Sequence, residues 1–205
     1  MRRKFLQLAV LALLLPATSL LLLASCGDES RRPAPQEPEP DRAAMLQEGW
    51  DLFRARLYPD ARAIFGRVSV LFPDVSEGYL GVGWCQIETD SLAEAIASLD
   101  IARSLDDSPE AWIGLAIAAS GLGIDSLAFE AAMRVDDPAF IFAGDEDVAY
   151  PDAVYIAALA AFHMQRYQEC YDLLLSFDPA IEIDLTAYDF RERLFEELMR
   201  LRGTV

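Results

Sequence analysis

The sequence predicts an all-α solenoid of about four helix pairs, closed by a C-terminal helix and preceded by an export signal and a proline-rich linker. From Arg42 onward, apolar residues recur every three or four positions, as on the buried face of a helix, and few segments resemble strands. The pattern also repeats at a fixed period. Three positions of one segment return 34 residues later: Tyr58, Ala61 and Phe65 become Leu92, Ala95 and Leu99.

The N-terminal 25 residues are predicted to be a signal peptide. Residues 1–4 are positively charged, residues 5–24 are mostly apolar, and the segment ends at Leu23-Ala24-Ser25-Cys26. A permanent membrane span is the alternative, since the run approaches the roughly 20 apolar residues that cross a bilayer. The exit resembles the lipobox of bacterial lipoproteins. That resemblance implies a diacylglycerol and an N-acyl chain on Cys26, with no other cofactor, and cleavage before it.

The chain is strongly acidic, and this excludes one class of partner. Its formal net charge is −17, and loss of residues 1–25 would remove three positive charges and make it −20. Such a body is repelled by phosphate backbones and by anionic lipid headgroups. We therefore expect no nucleic-acid binding, and membrane attachment through the lipid, for which two acyl chains suffice.

Residues 26–41 are predicted to hold the lipidated cysteine and a linker. The sequence GDESRRPAPQEPEPD has four prolines and no apolar periodicity. An extended tether of this kind rises ~3 Å per residue and spans roughly 45 Å.

The repeated segment resembles the tetratricopeptide repeat, a 34-residue pair of antiparallel helices. That family places a Leu-Gly pair on the first helix, and a Tyr, a small Ala and a Phe on the second. Glu48 departs from the pattern, because leucine is usual there. The predicted units and their matching residues are 42–75 (Gly49, Tyr58, Ala61, Phe65, Pro73), 76–108 (Tyr79, Gly83, Leu92, Ala95, Leu99, Ala102), 109–137 (Trp112, Leu115, Gly123, Ala128) and 151–180 (Phe162, Tyr167, Cys170, Leu174).

Two segments fall outside the repeats. Residues 138–150 are predicted to be an insertion loop, whose Asp145-Glu146-Asp147 cluster lacks the spacing of an EF-hand and is expected to be solvated. Residues 186–202 are predicted to form an amphipathic helix, which would cap the exposed apolar side of the last unit.

The residues give no indication of an enzyme. The single histidine, His163, has no neighbouring nucleophile or second metal ligand, and the chain lacks phosphate-loop and nucleophile-elbow motifs. Cys85 and Cys170 fall in units that are not neighbours, so they are expected to be buried thiols rather than a disulfide. We expect no catalytic residue and no metal site.

The resemblance implies a concave groove formed by first-helix positions. Its lining would be unusually apolar and aromatic, which is typical of a surface that binds protein. The alternative is that the C-terminal helix, or tight curvature of the superhelix, covers this surface. The predicted partner-binding residues are Trp50, Phe53, Arg54, Trp84, Ile87, Glu88, Ile113, Ile117, Tyr155, Leu159 and Phe162.

These features together predict a non-catalytic scaffold or adaptor in the bacterial cell envelope, with envelope or membrane proteins as partners. Residue 27 is a glycine, whereas an aspartate there would signal inner-membrane retention. This favours the outer membrane facing the periplasm. The alternative is a lipoprotein that binds a small molecule or peptidoglycan fragment, or regulates an envelope enzyme. Few hydrogen-bonding side chains in the lining disfavour a sugar ligand.

Overall fold

The computed structural model describes residues 41–203, and within this range the chain forms nine α-helices. The predicted signal peptide, the lipidation site Cys26 and the linker up to residue 40 lie outside the described residues. The helices are α1 (Arg42–Arg54), α2 (Tyr58–Leu71), α3 (Ser76–Glu88), α4 (Leu92–Leu105), α5 (Pro109–Gly121), α6 (Asp125–Ala132), α7 (Tyr150–His163), α8 (Tyr167–Phe177) and α9 (Phe190–Arg202).

The helices stack as consecutive antiparallel pairs. Each helix packs on the next in the chain, and the first helices of the four pairs (α1, α3, α5 and α7) also pack on one another. This is the arrangement of an α-solenoid, in which each repeat contacts its neighbours. The predicted fold class is confirmed. The predicted second and third units start at Ser76 and Pro109, which are the residues where α3 and α5 begin.

Small residues bring the helices into close contact, as the repeat pattern requires. Ala61 and Ala95 are fully buried in the second helices of their units. Gly81 of α3 lies so close to the Phe65 ring that an added Cβ would sit 2.4 Å from it. The large aromatic side chain therefore fills the space that the glycine leaves, and the two neighbouring units interlock.

The same left-handed turn joins the two helices of every unit. One residue per turn has a positive φ: Arg56 (60°), Asp90 (57°), Gly123 (69°) and Gln165 (61°). The residue after it then donates its N–H back to the first helix, as from Leu57 to the Leu52 carbonyl at 3.0 Å. This is the Schellman ending of a helix. It repeats although only one of the four positions is glycine.

The last helix closes the stack. α9 packs on α7 and α8, with the side chains of Leu194, Leu198 and Leu201 buried among them. The predicted capping helix started at residue 186, and the structure has α9 beginning at Phe190. Helix α9 thus occupies the place that the first helix of a fifth unit would take.

Candidate binding groove

The segment between the third and fourth units forms a small hairpin over the concave face. Ile141 and Ala149 pair as an antiparallel bridge. The Phe142 N–H donates to the Val148 carbonyl at 2.8 Å, and the Tyr150 N–H to the Phe140 carbonyl at 3.0 Å. We call residues 140–149 the groove hairpin. Its backbone forms hydrogen bonds within the hairpin, with the start of α7 and, through the Phe140 N–H, with the Asp137 carbonyl at 2.9 Å.

The Phe142 side chain of the groove hairpin lies at the centre of the concave face. Its ring stacks on that of Trp84, with centroids 4.1 Å apart and planes at 16°. The edge of Trp50 approaches the same ring at 5.7 Å. Trp84 is only 1% exposed, and its indole N–H is buried without a hydrogen-bond acceptor. The aromatic centre of the groove is therefore covered by the chain itself.

The predicted lining residues consequently differ in accessibility. Three are buried (Phe53, Trp84, Ile113), six are half-buried (Trp50, Ile87, Ile117, Tyr155, Leu159, Phe162) and two are exposed (Arg54, Glu88). They do not form one continuous exposed surface, and of the two alternatives that the sequence left open, an exposed groove and a covered one, the described residues have a groove that is covered in part. The groove hairpin covers the front of the concave face, and α9 packs against α7 at the end of the stack, where Phe195 lies 5.9 Å from Phe162. Partner binding by these residues stays a prediction.

The cover over the front is incomplete and leaves a cavity of about 280 Å³. Its floor is apolar and consists of side chains from α1, α3, α4 and the groove hairpin. Polar residues from the ends of α1, α3, α4 and α5 surround the opening. The floor is formed by Trp50, Leu80, Ala102 and Phe142, and the rim by Arg54, Ser76, Glu77, Asp106, Ser108, Glu110, Ala143 and Gly144. We call this space the front cavity.

A second cavity of about 190 Å³ lies on the other side of Ala143 and Gly144. Arg54 and Arg56 line one of its walls, and Asp145 and Glu146 of the hairpin tip line the other. Tyr58 also lines it, and burial followed by a hydrogen bond with Glu88 raises the pKa of the tyrosine above its ordinary value. The groove hairpin thus divides the concave surface into two spaces rather than filling it.

Sequence reasoning missed Phe142 as a member of the site. The available signal was composition, because Phe140, Ile141 and Phe142 stand in a segment otherwise rich in acidic residues. A large aromatic side chain in an insertion indicates burial. The sequence did not indicate the surface that would bury it.

The other residues weighed for chemistry form no catalytic group. The His163 Nδ1 lies 2.9 Å from the Asp125 carboxylate on the surface. Cys85 and Cys170 are free and buried, as predicted, and burial raises the pKa of each thiol to about 12. Between residues 41 and 203, no cluster of three or more His, Cys, Asp or Glu side chains could hold a metal ion. No helix in that part of the chain has the length and hydropathy to cross a membrane.

Comparisons with known proteins bear on the fold. No family model matches the chain, and no curated protein matches it. Among solved structures, the chain is similar to a tetratricopeptide-containing protein described as "MamA RS-1 ArsTM double mutant". The two are 14% identical, with a TM-score of 0.59 over 82% of this chain and 98% of the other. The protein described here therefore has a helical-repeat fold of the tetratricopeptide type.

Proposed function

We propose that this protein is a non-catalytic scaffold that binds a segment of a partner protein in the front cavity. A lipid on Cys26 tethers it to the bacterial cell envelope. The observation that carries the binding proposal is the front cavity itself, an apolar-floored space on the concave side of a helical-repeat solenoid. Exposed apolar concavities on such folds are suited to extended segments or helices of other proteins.

The dimensions of the cavity favour a protein segment over a free small molecule. Pockets for drug-sized ligands usually measure about 300–1,000 Å³. The front cavity, at about 280 Å³, stands at the lower end of that range and accommodates one or two side chains. A peptidoglycan fragment, which the sequence left open as an alternative, would require more volume and more hydrogen-bonding groups on the floor.

The membrane part of the proposal rests on the sequence. The lipobox resemblance at Leu23-Ala24-Ser25-Cys26 and the proline-rich tether support a lipid-anchored protein, facing the periplasm from the outer membrane. Intact-mass spectrometry of the protein from its native host checks this. We expect the mature chain to start at Cys26 and to carry acyl chains, and an unmodified residue 26 would contradict the anchor.

Filling the front cavity tests the binding proposal. Ala143 is exposed and lines both cavities, so Ala143→Trp places a large ring there without replacing a core residue. Ala63→Trp, on the exposed side of α2, is the matched control. The full-length chain in detergent micelles is used to recover cross-linked proteins from bacterial envelopes. We expect the control to retain partners that Ala143→Trp loses, and equal recovery by both variants would contradict the proposal.

A further inference from the structure

The rim of the front cavity carries uncompensated negative charge. Glu77, Asp106 and Glu110 line it, and none of the three forms an ion pair within residues 41–203. Arg54 is the one positive side chain of the lining, and it is paired with Asp51 at 2.6 Å. Glu77 and Glu110 stand in the first turns of α3 and α5, where the helix dipole favours a charged carboxylate. A cation entering the cavity would meet an unpaired negative rim.

The aromatic floor of the cavity also lacks a cation that comparable rings in this chain possess. Arg103 and Arg134 lie over the Trp112 ring at 4.9 Å and 5.3 Å from its centroid. Arg166 lies over the Phe129 ring at 4.2 Å. In the described part of the chain, no arginine lies over Trp50 or Phe142. Guanidinium groups thus lie over rings of the third unit, and none within residues 41–203 lies over the rings of the cavity floor.

We propose that the front cavity accepts an arginine side chain from a partner protein. The inference rests on the proposed function and names the chemistry of the partner segment, an arginine among apolar residues. Its aliphatic stem would lie on Leu80 and Ala102, and its guanidinium would reach Trp50 and the carboxylates of the rim. Arginine fits better than lysine, because its planar group stacks on aromatic rings and is more weakly hydrated.

Selection from a random twelve-residue peptide display library tests the inference. The full-length chain is immobilised in detergent micelles, and peptides that also bind Ala143→Trp are discarded. We expect the remaining peptides to be enriched severalfold in arginine flanked by apolar residues. If no peptide distinguishes the wild type from Ala143→Trp, the cavity does not bind protein segments, and the proposed function fails with it. If peptides distinguish them without arginine enrichment, the cavity binds protein and the arginine inference alone is wrong.

Two variants that lose the same number of negative charges then separate the effect of the rim carboxylates on binding from the effect of net charge. Glu77→Gln, Asp106→Asn and Glu110→Gln are combined in the site variant. Asp60→Asn, Glu94→Gln and Glu130→Gln, at exposed positions of α2, α4 and α6, are combined in the control variant. Binding of one selected peptide is measured by titration calorimetry. We expect the site variant to bind about tenfold more weakly, the equivalent of about 1.4 kcal/mol, and the control to bind nearly as the wild type. Equal weakening of both would overturn the inference, as would unchanged binding by the site variant.

Discussion

The two elements that cover the repeat stack, the groove hairpin on its concave face and α9 at its end, do so by different geometries. Helix α9 places Leu194, Leu198 and Leu201 on one face, and each is no more than 1% exposed. The groove hairpin alternates, so that Phe140 and Phe142 point inward while Ile141 is 59% exposed. A helix presents a continuous apolar stripe, whereas an extended segment presents every second side chain. The helix therefore seals the unit beneath it, and the groove hairpin leaves the front cavity.

The two covers also differ in the polar contacts that they form with the rest of the protein. The Arg200 guanidinium of α9 is 2.7 Å from the Asp178 carboxylate, and Arg193 donates to the Glu182 carbonyl at 2.8 Å. Within residues 41–203, no hydrogen bond joins the groove hairpin to helices α1–α5. Apolar packing of Phe140, Phe142 and Val148 holds it against those helices. We infer that α9 belongs to the structural core and that the groove hairpin is a more weakly held cover.

The largest expected effect is on α9. Replacement Leu198→Ala should lower the free energy of unfolding by about 2–5 kcal/mol, because it leaves a cavity where a fully buried side chain stood. Urea denaturation followed by circular dichroism at the helix band measures it. Glu196→Ala, exposed on the same helix, is the control and should change little. A shift no larger than that of the control would mean that α9 is not part of the core.

Truncation of the Phe142 side chain should lower the free energy of unfolding by less than Leu198→Ala does. Truncation of a buried phenylalanine usually costs about 3–5 kcal/mol, and we expect about 2 kcal/mol for Phe142→Ala, because a hairpin without hydrogen bonds to α1–α5 can shift to close the space. Tryptophan emission should move to longer wavelength as water reaches Trp84. Ile141→Ala, at an exposed position of the same hairpin, should do neither. A loss as large as that of Leu198→Ala would show that both covers are equally structural.

A smaller change dislodges the groove hairpin without truncating it. A Cβ added at Gly144 would sit 2.4 Å from the Phe142 ring and 2.9 Å from that of Trp50. Gly144→Ala should therefore destabilise the protein by about 1–2 kcal/mol, the usual cost of overpacking. Gly66→Ala on α2, where nothing lies within 4 Å, is the control, and thermal melting should show it unchanged or stabilised. Equal melting temperatures for both variants would contradict the position of the hairpin.

The two buried thiols report separately on the parts of the core beneath the two covers. Cys170 lies in the core beneath α9, and Cys85 lies in the core on which the groove hairpin packs. In a Cys26→Ser background, thiol labelling at pH 8 should be slow at both, and Leu198→Ala should accelerate it at Cys170 alone. Labelling that rises equally at both sites would mean that the protein opens as a whole.

The same thiols give the protein an alkaline sensitivity. Each has a folded-state pKa of about 12, raised by burial from an ordinary value of 9.0. Their contribution to stability is thus fully present below pH 9 and is lost as the pH rises towards 12. Denaturation of the wild type and of Cys85→Ala/Cys170→Ala across this range should show a shallower decline in the double variant. Identical slopes would refute the assignment.

The solenoid was predictable and the shape of its groove was not, for one physical reason. The repeat signal resides in local contacts, because Ala61 and Phe65 are spaced to meet helices that are adjacent in the chain. The position of Phe142 depends instead on a return to Trp84, which is distant in sequence, and nothing near Phe142 specifies that surface. The left-handed helix ends were hidden similarly, since Arg56 and Gln165 are not residues that mark such a turn.

In an open stack of repeats each unit contacts only its neighbours, so a force or a local opening passes from one unit to the next. The contact of Phe142 with Trp50 forms a bridge between the first unit and the segment that follows α6. Stretching the molecule requires this bridge to break first. We therefore expect the first three units to resist bending, with α1 held at a fixed distance from the end of α6.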